Sequence, residues 1–424
     1  MKALIGRGNL HDSEIQIPSS KSHAHRVLIS AALAPGVSHI HNLVLSDDIE
    51  ATIDCLRMLG AVIDIDGHDC TVKGIEDFNG YDGDIINCRE AGSTLRFMIP
   101  LFTLSGKTVT FTGRGRLMKR PQSVYEHLFE RFEYIGDVLR VKGRLSPGYY
   151  EIPGDVSSQF ITGLLFVLPL LEADSVIEIV PPFESQSYVD LTVQTLKAAG
   201  IELEKDGLVI KVKGNQKYQP IDISIVGDDS QAAFFAVAGA ISGKKITVQG
   251  MSPSSIQGDH IIVEYLKQCG CMVEEFNTAY SFKGEKNMKA GIFDMANCPD
   301  LGPVMFVLAA FMSGMTVFRH TRRLRIKESD RVRCMLEELD KLGVRSEYDE
   351  DSVTIWGGIT ACDDMVFDGH NDHRIVMALA IMALGLDKDI IINGAEAVNK
   401  SYPAFFEDLR KTGAKVELYD KQNQ

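Results

Sequence analysis

The stretch VSSQFITGLLFVLPLLEADSVIEIV, residues 156–180, joins two kinds of element in one short run. Small polar residues open it. The segment FITGLLFVLPLL is apolar on every side, the pattern of a helix buried all round. An acidic turn follows, and SVIEIV reads as a strand. The same plan recurs as IPSSKSHAHRVLISAALA from Ile17, AGSTLRFMIPLFTLSGKTVTFTG from Ala91 and DSQAAFFAVAGAISGKKITVQG from Asp229. It returns as PDLGPVMFVLAAFMSGMTVFRH from Pro299 and NDHRIVMALAIMALGLDKDIIING from Asn371. The starts lie near 21, 92, 157, 229, 300 and 371, a period of about 71 residues with one shorter interval of 65. A fixed period of this kind marks an internal repeat.

A second element interleaves with the first: an amphipathic helix ending in glycine, then strand, turn and strand. TIDCLRMLGAVIDIDGHDCTVKG and TVQTLKAAGIELEKDGLVIKVKG are examples. The helix-ending glycines are read as Gly60, Gly136, Gly200, Gly270, Gly343 and Gly413. Glycine supplies the left-handed residue that closes a helix. The chain is therefore six copies of roughly β-α-β-α-β-β, an α/β protein of two domains with three units each. Breaks are expected near residues 12 and 225, giving one domain of 1–12 plus 226–424 and another of 13–225.

If the repeats align, the buried helices present their starts together: Ser20, Ser93, Ser158, Asp229, Asp300 and Asp372. Helix N-termini are anion sites. Around them gather Lys21, Arg26, Arg96, Lys119, Arg120, Lys327, Arg331, Arg374 and Lys400, in a chain whose formal net charge is −14. Cations at helix starts oppose the helix dipole unless an anion is expected there. Guanidinium forks suit phosphate and carboxylate, so the ligands should be small and multiply anionic. Nothing global favours nucleic acid.

Bland readings stand beside these. The Lys327–Arg331 run also reads as a solvated helix entry with paired charges, and Asp372 as an ordinary N-cap. His23 and His25 do not share a helix face. His370 and His373 are spaced to face together, but no third ligand is implied, so no metal is expected. The eight cysteines are scattered, with no C-x-x-C pair, as in a reducing cytoplasm. The N-terminus MKALIGRGNL lacks a signal-peptide pattern, and no apolar run is long enough for a membrane helix.

The elements SSKSHAHR, EAGSTLRFMIPL, LMKRPQ, SSQFITGLL, SQSYVDLT, CPDLGPV, LRIKESDR, NDHRIVMALA and NKSYPAFF occur in the order seen in the 5-enolpyruvylshikimate-3-phosphate synthases. The chain resembles that family from Ser19 past Phe405. The resemblance implies the enolpyruvyl transferase fold, an inside-out α/β barrel of βαβαββ units with buried parallel helices and the active site in the interdomain cleft. It implies transfer of the enolpyruvyl group of phosphoenolpyruvate to the 5-hydroxyl of shikimate 3-phosphate, with release of phosphate, in the route to chorismate and the aromatic amino acids.

By the same resemblance Asp300 is the base toward the hydroxyl, Lys21 and Glu328 handle the proton near phosphoenolpyruvate, and His373 supports them. Shikimate 3-phosphate falls to Lys21, Ser22, Arg26, Ser157, Ser158, Gln159, Ser185, Tyr188, Asp300 and Lys327. Phosphoenolpyruvate falls to Lys21, Gly92, Arg120, Gln159, Arg331, Arg374 and Lys400. No cofactor or metal is implied; the protein is expected to be a cytoplasmic monomer, with glyphosate as an inhibitor that retained Gly92 would admit.

Two positions depart from the family pattern. Glu90 stands where Asn is usual, and either turns away or pairs with Arg96. Arg323 stands where an Asn often lies on the shikimate side. The rival in the same fold acts on UDP-N-acetylglucosamine and usually carries a cysteine in the loop that here reads GRGRLMKRP. A second rival, a phosphate-ligand-binding homologue without activity, predicts a missing acid–base residue, whereas Lys21, Asp300, Glu328 and His373 are all present.

Overall fold

The computed structural model describes residues 1–360 and 365–419, which leaves Cys362 outside the described residues. Its α-helices are, in chain order, α1 (Lys21–Leu33), α2 (Asp47–Leu59), α3 (Gly92–Thr103), α4 (Ser123–Glu126), α5 (Ser158–Val167), α6 (Gln186–Ala198), α7 (Asp229–Ser242), α8 (Ile262–Gln268), α9 (Gly302–Phe311), α10 (Arg331–Asp340), α11 (His373–Ala383) and α12 (Phe405–Lys411). Odd and even helices differ in kind. In α9 every residue from Val304 to Ala310 is fully buried, as its unbroken apolar sequence requires. The even helices keep a polar face outward; α2 exposes Asp54 and Arg57 while burying Ile49, Ile53 and Leu56.

The repeat unit is clearest around α5. Tyr149–Pro153 runs parallel to Ser175–Val180 across the α5 crossover, Val209–Val212 pairs antiparallel with Ser175–Val180, and Leu203–Asp206 takes the edge. The six four-stranded sheets of the described residues share this order. Three of them borrow a strand from elsewhere in the chain. Ser13–Gln16 directly precedes α1, yet it pairs with Ile246–Gln249 beyond α7. Asp222–Ser224 precedes α7, yet it pairs with Val37–His41 beyond α1. Lys2–Gly6 lies between Ile390–Asn393 and Lys415–Tyr419.

This exchange sets the division into two compact units, Met1–Pro18 with Gly227–Gln424, and Ser19–Val226. The first boundary expected near residue 12 is corrected to 18/19. A domain of 13–225 would include Ser13–Gln16, whereas the ladder bonds of that strand go to Ile246–Gln249 of the unit that holds residues 227–424. The crossing points are tied by backbone bonds within each unit: Ser20 N–H to Val226 O at 2.7 Å, and Asp228 N–H to Pro18 O at 3.0 Å.

The second repeat also differs from expectation. Gly136 ends no helix; with Asp137 it forms the turn of a hairpin between Arg131–Ile135 and Val138–Lys142. Its outer helix α4 is a single turn, which accounts for the interval of 65 residues. Gly60, Gly200, Gly270, Gly343 and Gly413 do follow helix ends with positive φ. Some helix starts shift by a residue: the capping side chains are Ser20, Ser157, Asp228 and Asp372, while Ala91 and Leu301 occupy the cap positions of α3 and α9 without a side-chain bond. Within one unit α7, α9 and α11 pack on one another; within the other α3 packs on α5, and α1 on α2 and α6.

Candidate active site

In the unit of residues 19–226, the packing of α5 on α3 brings the polar groups together. A Cβ on Gly163 would sit 2.2 Å from the Tyr125 hydroxyl and 2.5 Å from Arg96 O. Only glycine permits that approach. The Tyr125 hydroxyl donates to Arg96 O and Phe160 O, at 2.9 and 3.0 Å. With the helices so held, Arg96 donates to Gln159 Oε1 at 2.7 Å and to Ser157 Oγ at 3.4 Å, its guanidinium 4.7 Å from the Phe160 ring centre. Gln159 passes its amide N–H to Ser93 Oγ at 2.8 Å. Gly92 lies beside Arg120; a Cβ there would meet Arg120 Nη1 at 2.3 Å. The Glu90 carboxyl lies against Gly115, in the loop of residues 113–116.

The cations at the start of α1 separate in kind. Lys21 pairs with Asp48 at 2.7 Å. Arg26 is 2% exposed and turned inward. It donates to Ser22 O at 2.6 Å, Thr192 Oγ1 at 2.8 Å, Tyr188 O at 3.0 Å and Thr162 Oγ1 at 3.4 Å. Arg26 thus ties Ser22 and Tyr188 into one cluster. His23 and His25 are not cations at neutral pH. Burial, then Arg26, lowers His23 to about 4, and burial, then Lys21 and Arg26, holds His25 well below its ordinary value. His25 shares a hydrogen bond with Thr52 at 2.8 Å, and His23 Nδ1 accepts the Val226 N–H at 3.3 Å. Ser158 is buried at the first turn of α5, and Ser185 precedes α6 in the left-handed conformation, φ 53°.

The unit of residues 1–18 and 227–424 holds a second cluster, organised by Arg331 at the start of α10. Its side chain is 2% exposed. It donates to Asp300 Oδ1 at 2.9 Å, Glu328 Oε2 at 2.7 Å and Asp372 Oδ2 at 2.9 Å. Arg374 reaches Asp300 Oδ2 at 3.0 Å and the Ser230 hydroxyl at 2.8 Å. Lys327 Nζ stands 3.7 Å from Asp300 Oδ1. Burial lowers the Lys327 ammonium to about 8; Asp300 resists, while Arg323 and Arg331 add to the fall. Asp372 is fully buried and caps α11 through the Arg374 N–H at 2.9 Å. His373 is 1% exposed beside it, and Lys400 Nζ donates to Asn371 O at 2.6 Å. Arg323 is buried and donates to Ala296 O at 3.3 Å.

The sequence-predicted residues thus fall into two sets. Lys21, Ser22, Arg26, Gly92, Arg120, Ser157, Ser158, Gln159, Ser185 and Tyr188 belong to one unit, and Asp300, Lys327, Glu328, Arg331, His373, Arg374 and Lys400 to the other. Sequence reasoning missed Asp48, Thr162, Thr192 and Ser230 as partners of these side chains. Asp372 was seen as a cap, but not as the buried counter-charge of Arg331. Among the described residues no group of three His, Cys, Asp or Glu could hold a metal ion.

The family model described as EPSP synthase (3-phosphoshikimate 1-carboxyvinyltransferase) matches residues 7–409. A relative named 3-phosphoshikimate 1-carboxyvinyltransferase from Clostridium kluyveri is 42% identical over 415 residues, covering 96% of each chain. One of the same name from Clostridium acetobutylicum is 42% identical over 414 residues, covering 95% of each. Among solved structures, EPSP synthase from Acinetobacter baumannii matches with a TM-score of 0.80 at 24% identity, over 99% of this chain and 100% of that one. The enolpyruvyl transferase NikO from Streptomyces tendae matches with a TM-score of 0.76 at 16% identity, over 98% of both. These two structural likenesses concern the fold.

Proposed function

The chain belongs to the EPSP synthase (3-phosphoshikimate 1-carboxyvinyltransferase) family, and from that premise we infer that it transfers the enolpyruvyl group of phosphoenolpyruvate to the 5-hydroxyl of shikimate 3-phosphate. The observation that carries the reading onto this chain's residues is the pair of carboxylates Asp300 and Glu328, bridged by the single guanidinium of Arg331. Two carboxylates held by one cation suit an addition in which one group accepts a proton and another donates one. Asp300 takes the proton of the attacking hydroxyl. Glu328, with Lys21, delivers a proton to C3 of phosphoenolpyruvate as the new C–O bond forms at C2, and His373 supports them. The tetrahedral adduct then loses phosphate from C2 and a proton from C3, which restores the C2–C3 double bond, now as an enol ether. Protons balance over the two steps, and the chemistry as written calls for no cofactor.

The remaining assignments follow. Lys21, Ser22, Arg26, Ser157, Ser158, Gln159, Ser185, Tyr188, Asp300 and Lys327 serve shikimate 3-phosphate. Arg26 serves by orienting Ser22 and Tyr188 through their carbonyls. Lys21, Gly92, Arg120, Gln159, Arg331, Arg374 and Lys400 serve phosphoenolpyruvate. Arg331 does so chiefly by holding three carboxylates in register. No helix among the described residues is long and apolar enough to cross a membrane; we place the reaction in the cytoplasm and take the working unit to be a monomer. Glyphosate is expected to compete with phosphoenolpyruvate. Phosphate release from phosphoenolpyruvate, dependent on shikimate 3-phosphate, tests the reading. Release dependent on UDP-N-acetylglucosamine instead would transfer the chain to the rival activity.

Gly92→Ala is expected to raise KM for phosphoenolpyruvate about 10-fold, with KM for shikimate 3-phosphate unchanged. The added methyl displaces the Arg120 guanidinium, and a charge-assisted hydrogen bond is worth about 1.5–3 kcal/mol. Initial rates at varied concentrations of each substrate check this.

The depressed Lys327 value gives a pH dependence. This lysine is cationic below about 8 and neutral above. Since kcat/KM reports the free enzyme, kcat/KM for shikimate 3-phosphate should fall as pH rises through about 8. A bound phosphate or carboxylate raises the lysine, so the alkaline limb of kcat should lie higher. In Lys327→Arg the limb in kcat/KM should vanish over the same range. A limb unchanged in that variant would remove Lys327 as its source.

A further inference from the structure

His370 and Asn371 are successive non-glycine residues in the left-handed region, at φ 50° and 51°. That conformation is costly for L-residues and persists where the surroundings over-determine it. The His370 N–H donates to Asp368 Oδ1 at 2.7 Å, and its ring Nε2 donates to Glu338 Oε1 at 2.9 Å. The Glu338 side chain is 3% exposed. Its second oxygen accepts from Lys341 Nζ at 2.7 Å and from the Asp368 N–H at 3.1 Å. The ring also meets the Cys334 thiol, and Cys334 with Glu338 pushes the imidazole up to about 10. His370 is therefore a cation at neutral pH, clamped on a buried carboxylate.

What this clamp holds is the backbone of the second cluster. The Asn371 carbonyl accepts from Lys400 Nζ at 2.6 Å. The next residue, Asp372, binds back to Gly369 O at 2.9 Å, caps α11 and takes the Arg331 guanidinium. Arg331 and Glu338 lie two turns apart on α10, hence on one face. One helix thus grips the 368–374 segment twice, through Arg331 on Asp372 and through Glu338 on His370.

We propose that His370 and Glu338 are a positioning pair for phosphoenolpyruvate, holding the left-handed turn so that Asn371 O carries Lys400 and α11 begins with Arg374 in place. Neither residue belongs to the set assigned to the substrates. The inference rests on the functional reading above. It predicts an asymmetry: Lys400 and Arg374 serve phosphoenolpyruvate and are held directly by this segment, whereas all the residues assigned to shikimate 3-phosphate except Asp300 and Lys327 belong to the unit of residues 19–226, so loss of the clamp should be felt chiefly by phosphoenolpyruvate. A residue that merely stabilised the unit would lower its melting temperature and leave both KM values in their original ratio.

The test compares the parent chain with His370→Phe, His370→Arg and Glu338→Gln in the phosphate-release assay. His370→Phe and Glu338→Gln are each expected to raise KM for phosphoenolpyruvate at least 10-fold, with KM for shikimate 3-phosphate within 2-fold of the parent. His370→Arg restores a cation within reach of Glu338 and should recover KM for phosphoenolpyruvate to within 3-fold. An unchanged KM for phosphoenolpyruvate, or an equal rise for both substrates, overturns the proposal. If His370→Phe does not fold, Glu338→Gln decides by the same criteria. A parent chain that releases no phosphate overturns the functional reading and this inference with it; an active parent with indifferent variants overturns this inference alone.

Discussion

Exchange of Arg331 for methionine is expected to abolish turnover and to lower the stability of its unit by about 3–5 kcal/mol, the cost of stripping a buried charge cluster of its partner. Methionine keeps the aliphatic stem and removes donors to Asp300, Glu328 and Asp372. Asp372 suffers most, being fully buried. Burial acting alone raises its carboxyl; Arg331 overrides that and holds it below the usual carboxylate range. The sign of the pH dependence follows. In the parent, the folded value lies below the unfolded one, so Asp372 contributes stability above the unfolded value of about 4, and that contribution is lost as pH falls through the folded value. In Arg331→Met the folded value rises above the unfolded one. The folded state then binds more protons between the two, and stability falls as pH rises. The deficit against the parent should therefore grow between pH 5 and pH 8. Urea unfolding at both pH values measures it. A deficit under about 1 kcal/mol, the scale of an exposed ion pair, would show that Arg331 does not hold the cluster together.

The same residue marks where the sequence was readable and where it was not. That α5, α9 and α11 are helices buried all round follows from apolar runs with no polar face, and their recurrence revealed the six units. Periodicity is a local property and was read locally. Which sheet a strand joins is not local. Ser13–Gln16 and Asp222–Ser224 each precede a buried helix in the same way, and nothing in either segment records that they exchange sheets. The hairpin at Gly136 shows a related ambiguity. A glycine after an apolar run closes a helix or opens a turn, and the alternation in Arg131–Ile135 decides for the turn.

Burial of charge was illegible for the same reason. The sequence sets Lys21, His23, His25 and Arg26 close together at one helix start. Tertiary neighbours divide them into a paired lysine, two neutral imidazoles and an inward arginine. A spacing rule finds Arg26 and Arg331, and it cannot tell a guanidinium that awaits a ligand from one that braces the groups around it.

Glu328→Gln separates chemistry from bracing. The amide oxygen still accepts from Arg331, now 2.7 Å from Glu328 Oε2, and Arg331 keeps Asp300 and Asp372. Folding and both KM values should stay close to the parent. What is lost is a proton that can be given and taken, so kcat should fall by about 10²–10⁴. Asp300→Asn is the contrast: it strips charge from a carboxylate that answers Arg331, Arg374 and Lys327, so stability should fall together with rate. Solvent exchange assigns the step. When C3 of phosphoenolpyruvate becomes a methyl group and reverts, its vinyl protons exchange with deuterium in the solvent if shikimate 3-phosphate is bound. In the parent, proton NMR should show that exchange. In Glu328→Gln it should slow as much as turnover does, because the group that protonates C3 is gone. Exchange at the parent rate beside a collapsed kcat would place the lost function elsewhere, in phosphate departure, and would move the C3 proton to Lys21.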